Sequence, residues 1–439
     1  MHRECEKRKK RGGDEFMIAL VIFIGCLILF IMDRFPLAAV AMLGCVALVV
    51  FNACTVGEAF SGFTNDIVLI VFGTEIFGIA FQESGLDMLT VRFIQKHSMV
   101  ADSWKMTRRI IVIAGTIAAI LSAFLNNQVV SALMLVICMS MAARTEGINV
   151  KDITLPVIYF TILGGECTLI GAPATLMASS ISEEMTGYAI PFFELLPMGF
   201  IIFLLGMVYM CCFGYRKGSG IWGNTLSEKG VSDVDICQTR QVDKRKCIIT
   251  LSAGVIMLVM FITEIFSVGT VSMIGALICL LGGATEQKQA LPKVDWNVLI
   301  WLGCSIGMAN VLNSSGIIQS CCDKVIAYLP VDTSPYVFLI AVVLLTTFVS
   351  NLIANTTTVI MILPFAIQIA EQFGWNTVPF VIGITMAAGF AILTPLSCGF
   401  IGMTMRVGYK FKDYARYGMC MQVILTVSTI LLTFIMYRF

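Results

Sequence analysis

Two stretches decide how this chain folds: LSAFLNNQVVSALM at residues 121–134 and VSNLIANTTTVIMILP at residues 349–364. In each, a short polar insert, Asn126-Asn127-Gln128 or Asn355-Thr356-Thr357, interrupts a run that is apolar on both sides. The flanks, Ile110 to Phe124 and Val129 to Ala143, then Tyr336 to Val349 and Val359 to Ile369, are each shorter than the about 20 residues a helical span needs. Polar, non-helical backbone at membrane depth is tolerated only if it is buried in protein or lines a cavity. Each stretch therefore reads as a re-entrant hairpin, at 110–143 and 336–370, with the insert at its tip. Two ordinary spans joined by a short polar loop is the plainer alternative.

The rest of the composition agrees that lipid is the solvent. Of 439 residues, 58% are hydrophobic and 13% charged, where a soluble domain carries about a quarter charged, and the mean hydropathy is +0.90. A soluble globular enzyme is excluded, and the length allows about 10–11 spans in an all-α, polytopic membrane protein. The net charge of +1 points to no nucleic-acid partner. The 16 Cys are scattered, with only Cys211-Cys212 and Cys321-Cys322 adjacent, which is not the spacing of a zinc or redox motif. Histidine occurs only at His2 and His97, and no phosphate-binding GxxxxGK[ST] loop is present. No cofactor is expected.

An internal repeat supports the hairpins. Ser84-Gly85 matches Ser315-Gly316, the tip at Asn127 matches the tip at Asn355, and Ile170-Gly171-Ala172-Pro173 matches Leu393-Thr394-Pro395. The marks fall 43 and 46 residues apart in the first half and 40 and 40 in the second. Duplication explains such order better than chance. An odd count of crossings between the hairpins turns the second half upside down, giving two inverted-topology repeats, a plan common among secondary transporters. The expected division is a basic tail at 1–15, a first repeat at 16–215 with a broken helix at 153–187, a cytoplasmic linker at 216–246, and a second repeat at 247–439 with a broken helix at 378–407.

Lys and Arg placement orients the chain. The connection from Arg92 to Arg109, the stretch 216–246, and Arg406, Lys410, Lys412 and Arg416 all fall on one side, read as cytoplasmic, while the connection from Gly316 to Pro335 holds only Lys324. The basic tail disagrees. Either the first two apolar runs form a hairpin that does not fully cross, or translation begins at Met17. The expectation is a multi-pass protein of a bacterial-type plasma (inner) membrane.

The residues that break the apolar pattern carry the chemistry. Asn side chains and freed carbonyls at a helix break offer the neutral oxygens a sodium ion needs, and half-helix N-termini offer amide donors to an anion. Ser122 lies one turn before Asn126, and Ser350 one turn before Ala354, so each hydroxyl can point at its own tip or bond back to its own helix. The stretches GGECTLIGAPAT (164–175) and LTPLSCG (393–399) are the matching unwound regions. Ionisable residues inside spans are functional candidates. Glu75, in VFGTEIFGIAF, reads either as a proton carrier or as a neutral packing group, and Glu264 as interfacial.

On the two hairpin tips, the GGECTLIGAPAT stretch and the ending GYKFKDYARYG (408–418), the chain resembles the divalent anion:sodium symporter family. That family comprises sodium-coupled dicarboxylate, citrate and sulfate carriers within the ion transporter superfamily. The resemblance implies an elevator-type carrier, a homodimer, and one sodium site per hairpin with the substrate between the tips. By it, Ser122, Asn126, Asn127 and backbone near Gly171 surround one sodium, and Ser350, Asn355 and backbone from Leu393 to Pro395 the other. Asn127, Gln128, Asn355, Thr356, Thr394 and Pro395 face the substrate. The departures are Gln128 in place of the first motif Thr, Asn126 and Ala354 in place of motif Ser residues, and Glu166 where the pattern has no acid. Glu166 and Glu75 are therefore candidate coupling acids, and an acid beside an anion site points to proton coupling, weaker anion affinity or a cationic substrate.

The function expected is sodium-coupled symport of a small divalent anion by alternating access. An antiporter exchanging sodium for protons, or an oxyanion permease of the same superfamily, is the alternative within transport. A membrane-embedded enzyme or sensor lacks any metal motif, nucleophile elbow or sizeable soluble domain in its favour.

Overall fold

The computed structural model describes residues 18–26, 28–29, 35–98, 103–144, 148–222, 242–263, 265–314, 334–395 and 397–439. The basic tail at 1–15, Glu264, Ser315-Gly316, Leu396 and most of the linker at 216–246 lie outside the described residues. What is described is helical, with no strand.

The helices sort into two bundles by what they pack against. In the first, Leu37–Val50 lies on Trp296–Ser314, and Asp66–Glu83 lies on Val268–Leu281, with Lys244–Thr263 against the latter pair. Side-chain caps start these helices where the sequence has a short polar residue before an apolar run. Asn65 Oδ1 accepts from the Ile67 amide at 2.9 Å, and Asp295 Oδ1 accepts from the Asn297 amide at 3.1 Å. The Asp66 carboxylate then crosses to the neighbouring helix, accepting from Ser267 Oγ and from the Gly269 amide, both at 2.8 Å. It thereby ties an early helix to one some 200 residues later.

The second bundle holds the interrupted helices. The first hairpin has arms Ser103–Ser122 and Asn127–Arg144, and the second has arms Pro335–Ser350 and Asn355–Gln372. Val150–Gly165 packs against both arms of the first, and Val378–Gly389 against both arms of the second. After each of these helices the chain unwinds and restarts, as Pro173–Thr186 and as the short Gly399–Met403. The restarted pieces cross over: Pro173–Thr186 packs on the second hairpin, Gly399–Met403 on the first. Val150–Gly165 and Val378–Gly389 are buried along nearly their whole length, as expected of helices apolar on every side. The one cation in that core, Lys151, donates to the Gly408 carbonyl at 2.7 Å.

Gly164 is needed for the first of these packings, because a Cβ there would overlap the backbone of Ala119 on the hairpin arm. Such close helix contacts replace the hydrophobic drive that lipid does not supply.

Three helices among the described residues are long and apolar enough to cross a membrane: Leu196–Trp222, Lys244–Thr263 and Phe411–Met436. The first and last of these flank the second bundle, and Lys244–Thr263 flanks the first. Bulky apolar side chains such as Phe200, Val208, Val255, Val259 and Val423 stay exposed on them, the surface an acyl chain covers. Asp66–Glu83 and Met88–Ser98 make one further span if taken together, bent by 57°. One arm of each hairpin, Asn127–Ala142 and Pro335–Ser350, and the core helix Val378–Gly389 are among the shorter apolar helices.

Removing the cross-helix carboxylate tests the first bundle. Asp66→Ala should lower the apparent melting temperature in detergent by the equivalent of about 1–2 kcal/mol, the cost of a lost helix cap, and Asp66→Asn by less. Unchanged melting in both would mean that the Asp66 contacts contribute nothing.

Candidate functional site

Each hairpin tip is closed by the same side-chain contact. Ser122 Oγ donates to Asn127 Oδ1 in the first, and Ser350 Oγ lies 2.8 Å from Asn355 Oδ1 in the second. Serine and asparagine are five residues apart in both, so the hydroxyl that ends one arm orients the amide that begins the next. Each unwound region closes its own tip from behind: Thr168 Oγ1 donates to the Ala123 carbonyl, and Thr394 Oγ1 to the Asn351 carbonyl. Asn351 Oδ1 also accepts from the Leu393 amide at 2.7 Å. Gly165 has no room for a Cβ because the Asn127 amide occupies it, and Gly171 packs on the backbone of Gly165.

The two tips face one cavity of about 460 Å³ between the bundles. Most of its wall consists of helix beginnings. Leu37, Asn127 and Gln128, Pro173 and Ala174, Asn297 and Val298, and Asn355 and Thr356 all belong to the first turns of their helices. The partial positive charge of about half a unit at each helix N-terminus favours an anion, while the amides of Gln128, Asn297, Val298 and Asn355 are taken up by Asn126, Asp295 and the Ser397 carbonyl. No Lys, Arg or His lines this cavity among the described residues, whereas Glu166 and Asp295 do. The Asp295 carboxylate is engaged in capping its own helix. Glu166 is 1% exposed. Thr175 Oγ1 donates to its Oε2 at 3.1 Å, and its carboxyl reaches across to Gly389 of the second repeat, leaving no space there for a Cβ.

Asn126, Asn127, Gln128, Glu166, Asn355 and Thr356 thus come together on the cavity wall. Ser122 and Ser350 stand directly behind it, as does Glu75, whose Oε1 accepts from Asn126 Nδ2 at 2.9 Å. Leu393, Thr394 and Pro395 do not line it. Leu393 and Thr394 instead border a separate, mostly apolar cavity with Phe348, Phe411 and Gln422, and the Thr394 hydroxyl is turned to the hairpin backbone.

Sequence reasoning missed Leu37, Asp295, Asn297 and Trp301, all on the wall, whereas Ser397 and Cys398 on it belong to the unwound stretch 393–399 that the sequence singles out. A signal for some of them exists: TNDIVLIVFG (64–73) repeats as VDWNVLIWLG (294–303), which makes Asp295 the counterpart of the capping Asn65. Among the described residues no group of three His, Cys, Asp or Glu is placed to hold a metal ion.

Known proteins carry the same pattern. The family described as "Citrate transporter" matches residues 27–331, and that described as "Sodium:sulfate symporter transmembrane region" matches residues 241–438. An uncharacterized transporter of Methanocaldococcus jannaschii is 26% identical over 334 residues, 73% of this chain and 72% of the relative. A sodium-dependent dicarboxylate transporter of Staphylococcus saprophyticus is 22% identical over 418 residues, 87% of this chain and 78% of the relative. An uncharacterized transporter of Synechocystis is 27% identical over 193 residues, 44% of this chain, and the match spans only 31% of that relative's length. Among solved structures, the Alcanivorax borkumensis YdaH transporter shares the fold, with a TM-score of 0.58 at 13% identity over 86% of each chain.

The Glu166–Gly389 contact is testable by stability alone. Gly389→Ala should destabilise by about 1–3 kcal/mol, the range for overpacking a full site. Glu166→Ala in the same chain should recover most of that loss, because the two sites are in contact. Additive losses in the detergent-solubilised double variant would show that the two positions do not touch.

Proposed function

The chain belongs to the citrate transporter family, and from that premise we propose that it is a secondary active carrier which moves a small divalent anion, dicarboxylate, citrate or sulfate, by sodium-coupled symport. It is an integral membrane protein and a transporter rather than an enzyme. The bacterial-type plasma membrane, the homodimer and the inverted repeat belong to the proposal.

The observation that carries the reading is the cavity walled by helix beginnings and free of basic side chains. An anion there is held by backbone amides and the amide groups of Asn127, Gln128 and Asn355. With Glu166 on the same wall, such a site binds an anion well only when cations enter with it. Sodium supplies them. Behind each tip, Ser122 with Asn127 and Ser350 with Asn355 group neutral oxygens, the ligand type a hard cation takes. Carbonyls of the unwound regions, at Gly165 and at Gly389 to Ala391, complete each set in the proposal. Because each ion shares its Asn with the substrate side of the tip, loading of ion and anion is mutually dependent. Alternating access follows from sliding of the hairpin bundle against the first bundle.

One observation favours a second reading. Glu166 is a buried carboxyl on the cavity wall with a single hydroxyl partner, the setting in which a proton replaces a metal cation as the coupling ion.

Uptake by reconstituted protein separates the two. Labelled succinate, citrate and sulfate are offered with sodium and proton gradients imposed separately. Accumulation driven by the sodium gradient is expected, and accumulation driven by the proton gradient alone would overturn the sodium assignment. Asn127→Ala and Asn355→Ala should each abolish uptake while the protein still runs as a folded species in detergent; wild-type turnover in either would make the tips mere loops. Glu166→Gln should alter the pH profile of uptake if protons are carried there. An unchanged profile returns Glu166 to a packing role.

A further inference from the structure

We propose that Glu75 and Asn126 form a latch between the two helix bundles, which ties the first hairpin tip, and not the second, to the Asp66–Glu83 helix. Glu75 lies midway along that helix, 6% exposed, in the bundle built on Val268–Leu281. Asn126 belongs to the other bundle. Its Nδ2 donates to Glu75 Oε1 at 2.9 Å, while its Oδ1 accepts from the Gln128 amide of the tip, also at 2.9 Å. The one amide group is thus fixed at both ends, by the tip backbone on one side and by the first bundle on the other.

The second repeat lacks this link. Aligning TNDIVLIVFG with VDWNVLIWLG sets Ser305 opposite Glu75, and aligning the tips sets Ala354 opposite Asn126. Alanine has no group to donate. Ser305 Oγ and, one turn earlier, Trp301 Nε1 are both buried without a hydrogen-bond partner among the described residues. The second tip is instead held within its own bundle, by Asn355 Nδ2 on Cys398 Sγ at 3.0 Å and on the Gly389 carbonyl at 3.4 Å.

The bundles also meet where Pro173–Thr186 touches Asp66–Glu83 and Trp296–Ser314, where Leu86–Ser98 packs on Asp66–Glu83 and on both arms of the first hairpin, and where Phe192 stacks on Phe261, with Asn65 Nδ2 donating to Ser180 Oγ at 3.1 Å nearby. Any sliding of one bundle past the other breaks the Glu75–Asn126 bond and breaks no counterpart at the second tip. The latch therefore makes the two end states of such a motion unequal, favouring the one in which the first tip rests on the Asp66–Glu83 helix.

Hydrogen–deuterium exchange of the full-length protein in detergent tests this without any substrate, so its outcome is independent of the transport assay. In Glu75→Ala, amides over residues 123–130 should exchange about tenfold faster, the effect of losing roughly one hydrogen bond's net stabilisation. Residues 351–358 and Val150–Gly165 should be unchanged. Asn126→Ala should loosen the same tip at least as much, since it also frees the Gln128 amide, and the double variant should exchange no faster than Asn126→Ala alone, which has already lost the bond to Glu75. Glu75→Gln keeps the acceptor and the shape, and should retain most of the protection even if the alanine variant folds poorly. Equal loosening of both tips, additive effects in the double variant, or unchanged exchange over 123–130 would each overturn the latch.

Discussion

Backbone amides and carbonyls cannot be left bare in hydrocarbon, where each costs several kcal/mol, yet this chain stops four helices inside the protein: at two hairpin tips and at two unwound segments. The structure meets that constraint with one device used twice. A serine at the end of an arm closes onto an asparagine five residues later, and a threonine from the unwound segment takes up the carbonyl that the arm exposes at its end. Glycines then let the segments approach. Gly164 lies against Ala119 backbone, Gly165 against the Asn127 amide, and Gly171 against Gly165. The first turns that follow these breaks line the cavity, so interrupting the helices also sets their N-terminal partial positive charges on its wall.

Much of this was legible because it is local. The polar inserts, the serines one turn before them and the Gly- and Pro-rich breaks are sequence neighbours of what they contact. Side-chain direction was not legible. Thr394 stands in the same segment as Cys398, which lines the cavity, but its hydroxyl serves the Asn351 carbonyl, because an exposed carbonyl in lipid outweighs a place on the wall. Nor was the far wall. Leu37, Asn297 and Trp301, each more than 50 residues in sequence from either tip asparagine, Asn127 or Asn355, reach the cavity through helix packing, a contact that no periodicity encodes. Glu75 stood out as an ionisable residue in an apolar run, but its partner, Asn126, lies on another bundle.

The charge arrangement explains why neither the acid at Glu166 nor the absence of basic groups argues against an anion. Each helix beginning contributes a partial positive charge that is fixed in place and needs no counter-ion of its own. A lysine or arginine would bind the anion whether or not sodium were present. Amides and helix ends bind it more weakly, and an adjacent carboxylate weaker still, so that occupancy comes to depend on a cation arriving with it. A poor empty site is thus compatible with tight coupling, since energy spent on uniform binding would only hold the substrate back.

The departures between the two halves are not scattered. Glu75 is opposite Ser305, Asn126 opposite Ala354 and Glu166 opposite Phe390, the last by the match of Gly165 with Gly389. Each of these three polar groups of the first half touches the first tip or the cavity beside it, while the second half has Asn351 opposite Ala123. Two tips that share one closing device therefore differ in the side chains around them. The second has the shared device, the Ser350–Asn355 contact backed by Thr394, and adds Asn351, whose Oδ1 accepts from the Leu393 amide. The first adds a carboxyl on either side, one from the opposite bundle and one from its own unwound segment. The backbone plan is closely similar at the two tips, but the side chains make the first tip the one that is bonded to the opposite bundle as well as its own.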